Sequence, residues 1–130
     1  MSVAVGVNML WCVPGEVGGS EEYFVRQLLG LAEFRDRVSV TAFVPRGFSA
    51  AHPDVADATT VVESPSECRS RLRRVIAENT WLARKTTGFD LVHHGGGTMP
   101  TRSAAPSVVT IHDLQYLTFP DYFTATKRAY

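Results

Sequence analysis

Apolar positions along this chain follow two alternating patterns. The first run, Val3 to Met9 (VAVGVNM), is short and dense in valine, as a strand buried on both faces of a parallel sheet should be. Pro14, Gly15, Gly18 and Gly19 then break regular structure and let the backbone turn tightly. Beyond them Phe24, Leu28, Leu31 and Ala32 recur at helical spacing, with Glu22, Arg26 and Glu33 on other faces. Ser20 is the expected N-cap, and Glu21 and Glu22 occupy the first turn, where the helix dipole favours negative charge. The stretch reads as the start of a strand–loop–helix–strand unit. Its glycine loop lies at the carboxyl end of the strand, where open α/β sheets bind ligands.

The same alternation continues. A charged turn from Phe34 to Arg37 leads into a second strand, Val38 to Val44, and Pro45, Gly47 and Pro53 mark a long loop to about Ala58. Thr59 to Val62 is a short third strand. Ser64-Pro65-Ser66-Glu67 carries the signature of a capping box with proline at the first helical position. The helix it predicts buries Cys68, Leu72, Val75, Ile76, Leu82 and Ala83 and stops at Gly88. Asp90 to His93 is a fourth strand, residues 94–106 a loop containing Gly95-Gly96-Gly97, and Ser107 to Ile111 a fifth strand. The rest is rich in aromatic residues, and Thr124 could cap a terminal helix. Strands alternating with helices predict one doubly wound α/β domain with right-handed crossovers. In the sheet order 3-2-1-4-5, loops 11–19 and 94–106 and the segment from His112 onward converge at the switch point.

Composition narrows the field. The chain has 130 residues and formal net charge zero, so no global field points to nucleic acid or to an acidic partner. Cys12 and Cys68 lack metal-like spacing and read as reduced thiols of a cytoplasmic protein. No apolar run approaches the ~20 residues of a membrane span, and no basic-then-apolar leader is visible. Arg69, Arg71, Arg73, Arg74, Arg84 and Lys85 line one predicted helix. A solvated face accounts for them, and peripheral contact with anionic lipid is the sharper alternative.

Few motifs survive inspection. There is no GxGxxG and no GxxxxGK[ST], which argues against dinucleotide and phosphate loops of those kinds. His94-Gly95-Gly96-Gly97 matches an esterase oxyanion-hole string, but the GxSxG partner is missing. His93 and His94 are adjacent, so on a strand they point to opposite faces and do not share a metal. Two features remain. Gly18-Gly19 at a helix N-terminus offers unhindered N–H donors to an anion, or is simply a tight turn. His112, at the exposed end of the fifth strand, could bond a sugar hydroxyl or phosphate, or could brace loop carbonyls. Asp113 beside it reads first as a cap for the following turn.

VGVNMLWCVPGEVGGSEEYFVRQLLGLA, then DLVHH, then PSVVTIHDLQYLTFPDYFTATKRAY together resemble the N-terminal half of GT-B-fold retaining glycosyltransferases of family 4. The resemblance implies a Rossmann-like three-layer αβα sandwich with a mainly parallel sheet, on the acceptor side of a two-domain enzyme. It also implies that His112 lies by the transferred sugar with Asp113 shaping the site. Gly18, Gly19, Ser20, His94 and Gly95 would contact donor phosphates or acceptor. Such enzymes resemble one another in using a nucleotide-sugar donor, a sugar, lipid or small-molecule acceptor, and no metal or other cofactor. The family's donor-binding motifs have no counterpart in these residues, so the domain alone is expected to be inactive, and its uncovered aromatic segment either to self-associate or to dock in a rearranged form. A non-catalytic α/β binding or interaction module is the alternative.

Overall fold

In a computed structural model of the protein, which describes residues 1–125, five parallel strands form one sheet. They are Val3–Asn8 (β1), Val38–Val44 (β2), Thr60–Glu63 (β3), Leu91–His94 (β4) and Ser107–Val109 (β5), paired in the order β3-β2-β1-β4-β5. The order reverses between β1 and β4, as the pattern predicts. Because strand side chains alternate between faces, Val5, Val7, Val38, Val40, Ala42 and Val44 join one core. That core is closed by Phe24, Val25 and Leu28 of α1 (Gly19–Leu31), by Phe48 of α2 (Phe48–Ala51) and by Val55 of α3 (Pro53–Ala58). Leu10 and Phe43 face the other way, onto Cys68, Ala77 and Leu82. The last two belong to a helix made of α4 (Arg71–Ala77), a π-helical turn (Glu78–Leu82) and α5 (Ala83–Lys85). Helices thus cover both faces, giving a Rossmann-like three-layer αβα sandwich.

Four local expectations are corrected. Ser20 is not the cap of α1: Gly18 holds that position with φ 65° and ψ −132°, and Ser20 lies inside the first turn. The expected loop after β2 contains the two short helices α2 and α3, the second begun by Pro53 at its first turn. The serine–proline motif does not start a helix either. Ser64 is tied to the sheet by its N–H to the Val44 carbonyl, and its hydroxyl accepts from the Ser66 N–H. The Ser66 hydroxyl in turn accepts from Cys68, and the helix waits for Ser70, whose side chain accepts from the Arg73 N–H.

The fourth correction concerns the helix phase. Leu72 and Ile76 are 70% and 54% exposed, although the spacing placed them in the core. The π turn inserts one residue into the helical repeat, so the inner face carries Ala77, Glu78 and Leu82 instead. The terminal helix expected from Thr124 lies almost wholly outside the described residues. Before it, α6 (Gln115–Thr118) and a 3₁₀ turn (Pro120–Tyr122) leave Leu117, Phe119 and Tyr122 exposed.

The helix phase can be checked by urea unfolding. Leu72→Ser should change the folding free energy by less than about 0.5 kcal/mol, as surface changes do. Leu82→Ala should cost about 2–5 kcal/mol through the cavity it leaves. Comparable losses at both positions would restore the stripe that the spacing predicts.

Candidate functional site

β1 and β4 end side by side, with Asn8 opposite His94 in the register. Asn8 is fully buried, and a buried amide must satisfy its polar atoms within the protein. Its Oδ1 accepts from the Leu10 N–H at 3.1 Å, and its Nδ2 reaches Glu78 Oε1 and His94 Nδ1, each at 3.1 Å. Its carbonyl accepts from the Trp11 indole Nε1–H and from the Gly95 N–H, both at 3.1 Å. The π turn delivers Glu78 to this point. That carboxylate also accepts from the Thr98 hydroxyl, at 3.0 Å to each oxygen. One residue therefore joins the turn after β1, the loop after β4 and the helix behind them.

Above this hub stand the rings of the carboxyl edge. Trp11 and Phe24 meet edge to face at 5.3 Å, and His112 lies 5.7 Å from the first and 5.9 Å from the second. A Cβ on Gly95 would fall 2.5 Å from Phe24 and one on Gly96 2.4 Å from Trp11, so only glycine lets the rings lie against this loop. His112 Nε2 donates to the Gly95 carbonyl at 2.7 Å. That bond fixes the tautomer and leaves Nδ1 as the acceptor of the neutral ring. Asp113 caps the next turn by accepting from the Gln115 N–H at 3.2 Å.

The predicted site residues divide accordingly. His112, Gly95 and the loop leading from Trp11 towards Gly18 and Gly19 share the carboxyl edge. The positive φ falls at Gly18, while the space beside both Gly18 and Gly19 is open. Ser20 sits half-buried in the first turn of α1. His94 is the last residue of β4, not a loop residue, and is only 1% exposed. It serves the hub rather than the surface, while His93 turns to the opposite face and bonds Thr110 Oγ1 at 2.6 Å. The Gly95 N–H is committed to Asn8, so the HGGG string does not present that donor to an oxyanion.

A second polar group at this edge had no signal in the sequence. His52 Nε2 lies 2.7 Å from Glu21 Oε1, and Glu21 Oε2 accepts from the Gly15 N–H at 2.9 Å. The glycine loop is thereby held from α1 and from the α2–α3 junction together. Neither thiol is a nucleophile candidate: burial, with Glu21 nearby, pushes Cys12 up to about 12, and burial raises Cys68. Among the described residues no group of three or more His, Cys, Asp or Glu side chains is placed to hold a metal ion. No described helix is long and apolar enough to cross a membrane. A hollow of about 350 Å³ lies elsewhere, at the amino ends of β2 and β3 beside Arg35 and Asp57. No family model, curated protein or solved structure matches the chain.

Burial, helped by His93, lowers the His94 imidazole from 6.5 to about 4. A folded-state value below the unfolded one means that the unfolded chain takes up the proton first as pH falls. Stability is therefore complete above about pH 6.5 and is lost progressively towards pH 4. At about 1.4 kcal/mol per pH unit the full loss is roughly 3 kcal/mol. Urea unfolding across this range should show that slope in the wild type and a much flatter one in His94→Gln. Parallel slopes would place the titrating group elsewhere.

Proposed function

We propose that this domain forms the acceptor side of a retaining sugar transferase that uses a nucleotide-sugar donor. The observation that carries the reading is the position of His112. It stands at the carboxyl edge beside the reversal of strand order, with one nitrogen fixed and the other left as an acceptor. Open α/β sheets bind ligands at that edge. The resemblance of the stretches around β1 and around β4 to β5 to family 4 glycosyltransferases supplies the reaction class. These residues contain a single α/β sheet, so the donor is assigned to a second domain facing this edge.

In the proposed reaction the acceptor oxygen bonds the anomeric carbon while the bond to the nucleotide phosphate oxygen breaks, on the same face of the sugar. The departing phosphate oxygen takes the acceptor proton. His112 Nδ1 accepts a hydrogen bond from a hydroxyl of the transferred sugar and so orients the ring. Asp113 fixes the turn that carries His112, and the open N–H groups near Gly18 and Gly19 face the anionic part of the donor.

The test is release of nucleoside diphosphate from a panel of nucleotide-sugars by the transferase containing this domain and its donor-binding half. His112→Ala should lower kcat by ~10²-fold or more, with a smaller change in acceptor KM. The side chain is exposed, so the variant should fold, as circular dichroism would show. A kcat within about twofold of wild type would leave His112 as a brace for the Gly95 loop.

A further inference from the structure

The apolar residues that α4 turns outward stand in line with its cations. The Thr80 hydroxyl donates to the Ile76 carbonyl at 2.7 Å, and Arg84 Nε donates to the Thr80 carbonyl at 3.0 Å. Leu72, Ile76, Thr80 and Arg84 thus form one ridge, each a turn beyond the last. Beside Ile76 a groove of about 240 Å³ is walled by Pro65, Ala77, Trp81 and Arg73. Between residues 68 and 85 the one acidic side chain is Glu78, and it is buried in the Asn8 network. Arg69 is engaged by Glu16 and Glu67. Arg73 and Lys85 have no acidic partner among the described residues.

We propose that this outer face of α4 and α5 docks on a lipid surface bearing anionic head groups. Leu72 and Ile76 enter the interfacial region, and Arg73, Arg84 and Lys85 lie at the phosphates. Charge complementarity selects this occupant. The outer face carries the exposed aliphatic pair Leu72 and Ile76 and, between residues 68 and 85, exposed charges of one sign only, and an anionic surface matches both at once. Nucleic acid would meet the cations but would leave the two aliphatic side chains against phosphate and water. The helix does not need this face for its own packing, because the π turn has given its inner side to Ala77, Glu78 and Leu82. The inference is independent of the sugar-transfer reading.

Vesicle flotation tests it, with the protein mixed either with phosphatidylcholine or with phosphatidylcholine plus phosphatidylglycerol. The protein should float with the anionic vesicles, remain below the neutral ones and be released by added salt. Each of Arg73→Ala and Arg84→Ala should weaken binding roughly fivefold. Leu72→Ser with Ile76→Ser should weaken it by about tenfold or more. All four side chains are exposed, so circular dichroism should be unchanged, and Phe119→Ser with Tyr122→Ser should still bind. No flotation with anionic vesicles, or flotation that survives all four α4 and α5 substitutions, overturns the proposal. So does loss of binding in the aromatic variant alone, which would make the terminal segment the anchor. If Leu72→Ser with Ile76→Ser dissolves a dimer in sedimentation without changing flotation, the face belongs to a second copy.

Discussion

The hydrogen-bonding of one buried amide, Asn8, organises the carboxyl edge of this domain. A strand in the middle of a parallel sheet is buried on both faces and reads as a near-continuous apolar run, so a polar residue in it must find its hydrogen-bond partners inside the protein. Here β1 ends on asparagine, and its donors and acceptors are met from three directions: the turn that follows, the end of β4 and the helix behind. The demand is mutual. Glu78 could not lie 1% exposed without donors, and Asn8 and Thr98 provide them. The π turn is the backbone adjustment that brings this carboxylate inward, consistent with the tendency of such turns to mark functional positions. One buried atom stays unmatched within the group, His94 Nε2. A neutral imidazole tolerates this better than a charged one, in keeping with its lowered proton affinity.

From that hub the candidate site is built outward. Trp11 is anchored through its indole N–H to the Asn8 carbonyl, and its ring supports both the Gly95–Gly96 backbone and His112. His112 in turn holds the Gly95 carbonyl. The bracing bond of this histidine is therefore compatible with the ligand-binding role proposed for it. The nitrogen used for bracing is the one that sets the tautomer of the other, as oriented imidazoles at reactive sites generally require. Aromatic rings occupy the corner itself, and the two hollows beside Arg35 and beside Ile76 lie away from it. In a two-domain transferase the cleft is completed by the facing domain, so a ring-lined edge on this half fits the proposal.

The sheet order was legible from the sequence because strand-type and helix-type periods alternate cleanly and the crossover rule leaves few topologies. β2 was read to the residue, since Val38, Val40, Ala42 and Val44 alternate along it with no competing period. What stayed hidden depended on partners distant in the chain. Ser64 looked like a cap because its neighbours match a capping box, but the Val44 carbonyl claimed its N–H and Ser66 its hydroxyl. Leu72 and Ile76 looked buried because a 3.6-residue repeat was carried across a π turn that no local pattern announces. Asn8 did leave a trace, as the one polar residue in VAVGVNML, and Glu78 as the one acid among arginines. The pairing of His52 with Glu21 left none, for it joins two elements 31 positions apart.

The dependence of this edge on Asn8 is tested most directly by native-state hydrogen exchange followed by NMR at two protons, the Trp11 indole N–H and the Gly95 amide. Both donate to the Asn8 carbonyl, and neither lies within a helical ladder. If the hub holds the edge as one unit, both should exchange only through global unfolding, with the same free energy as the central β1–β2 amides. Exchange of either proton at the rate of exposed segment 113–118, while β1 and β2 remain protected, would contradict it.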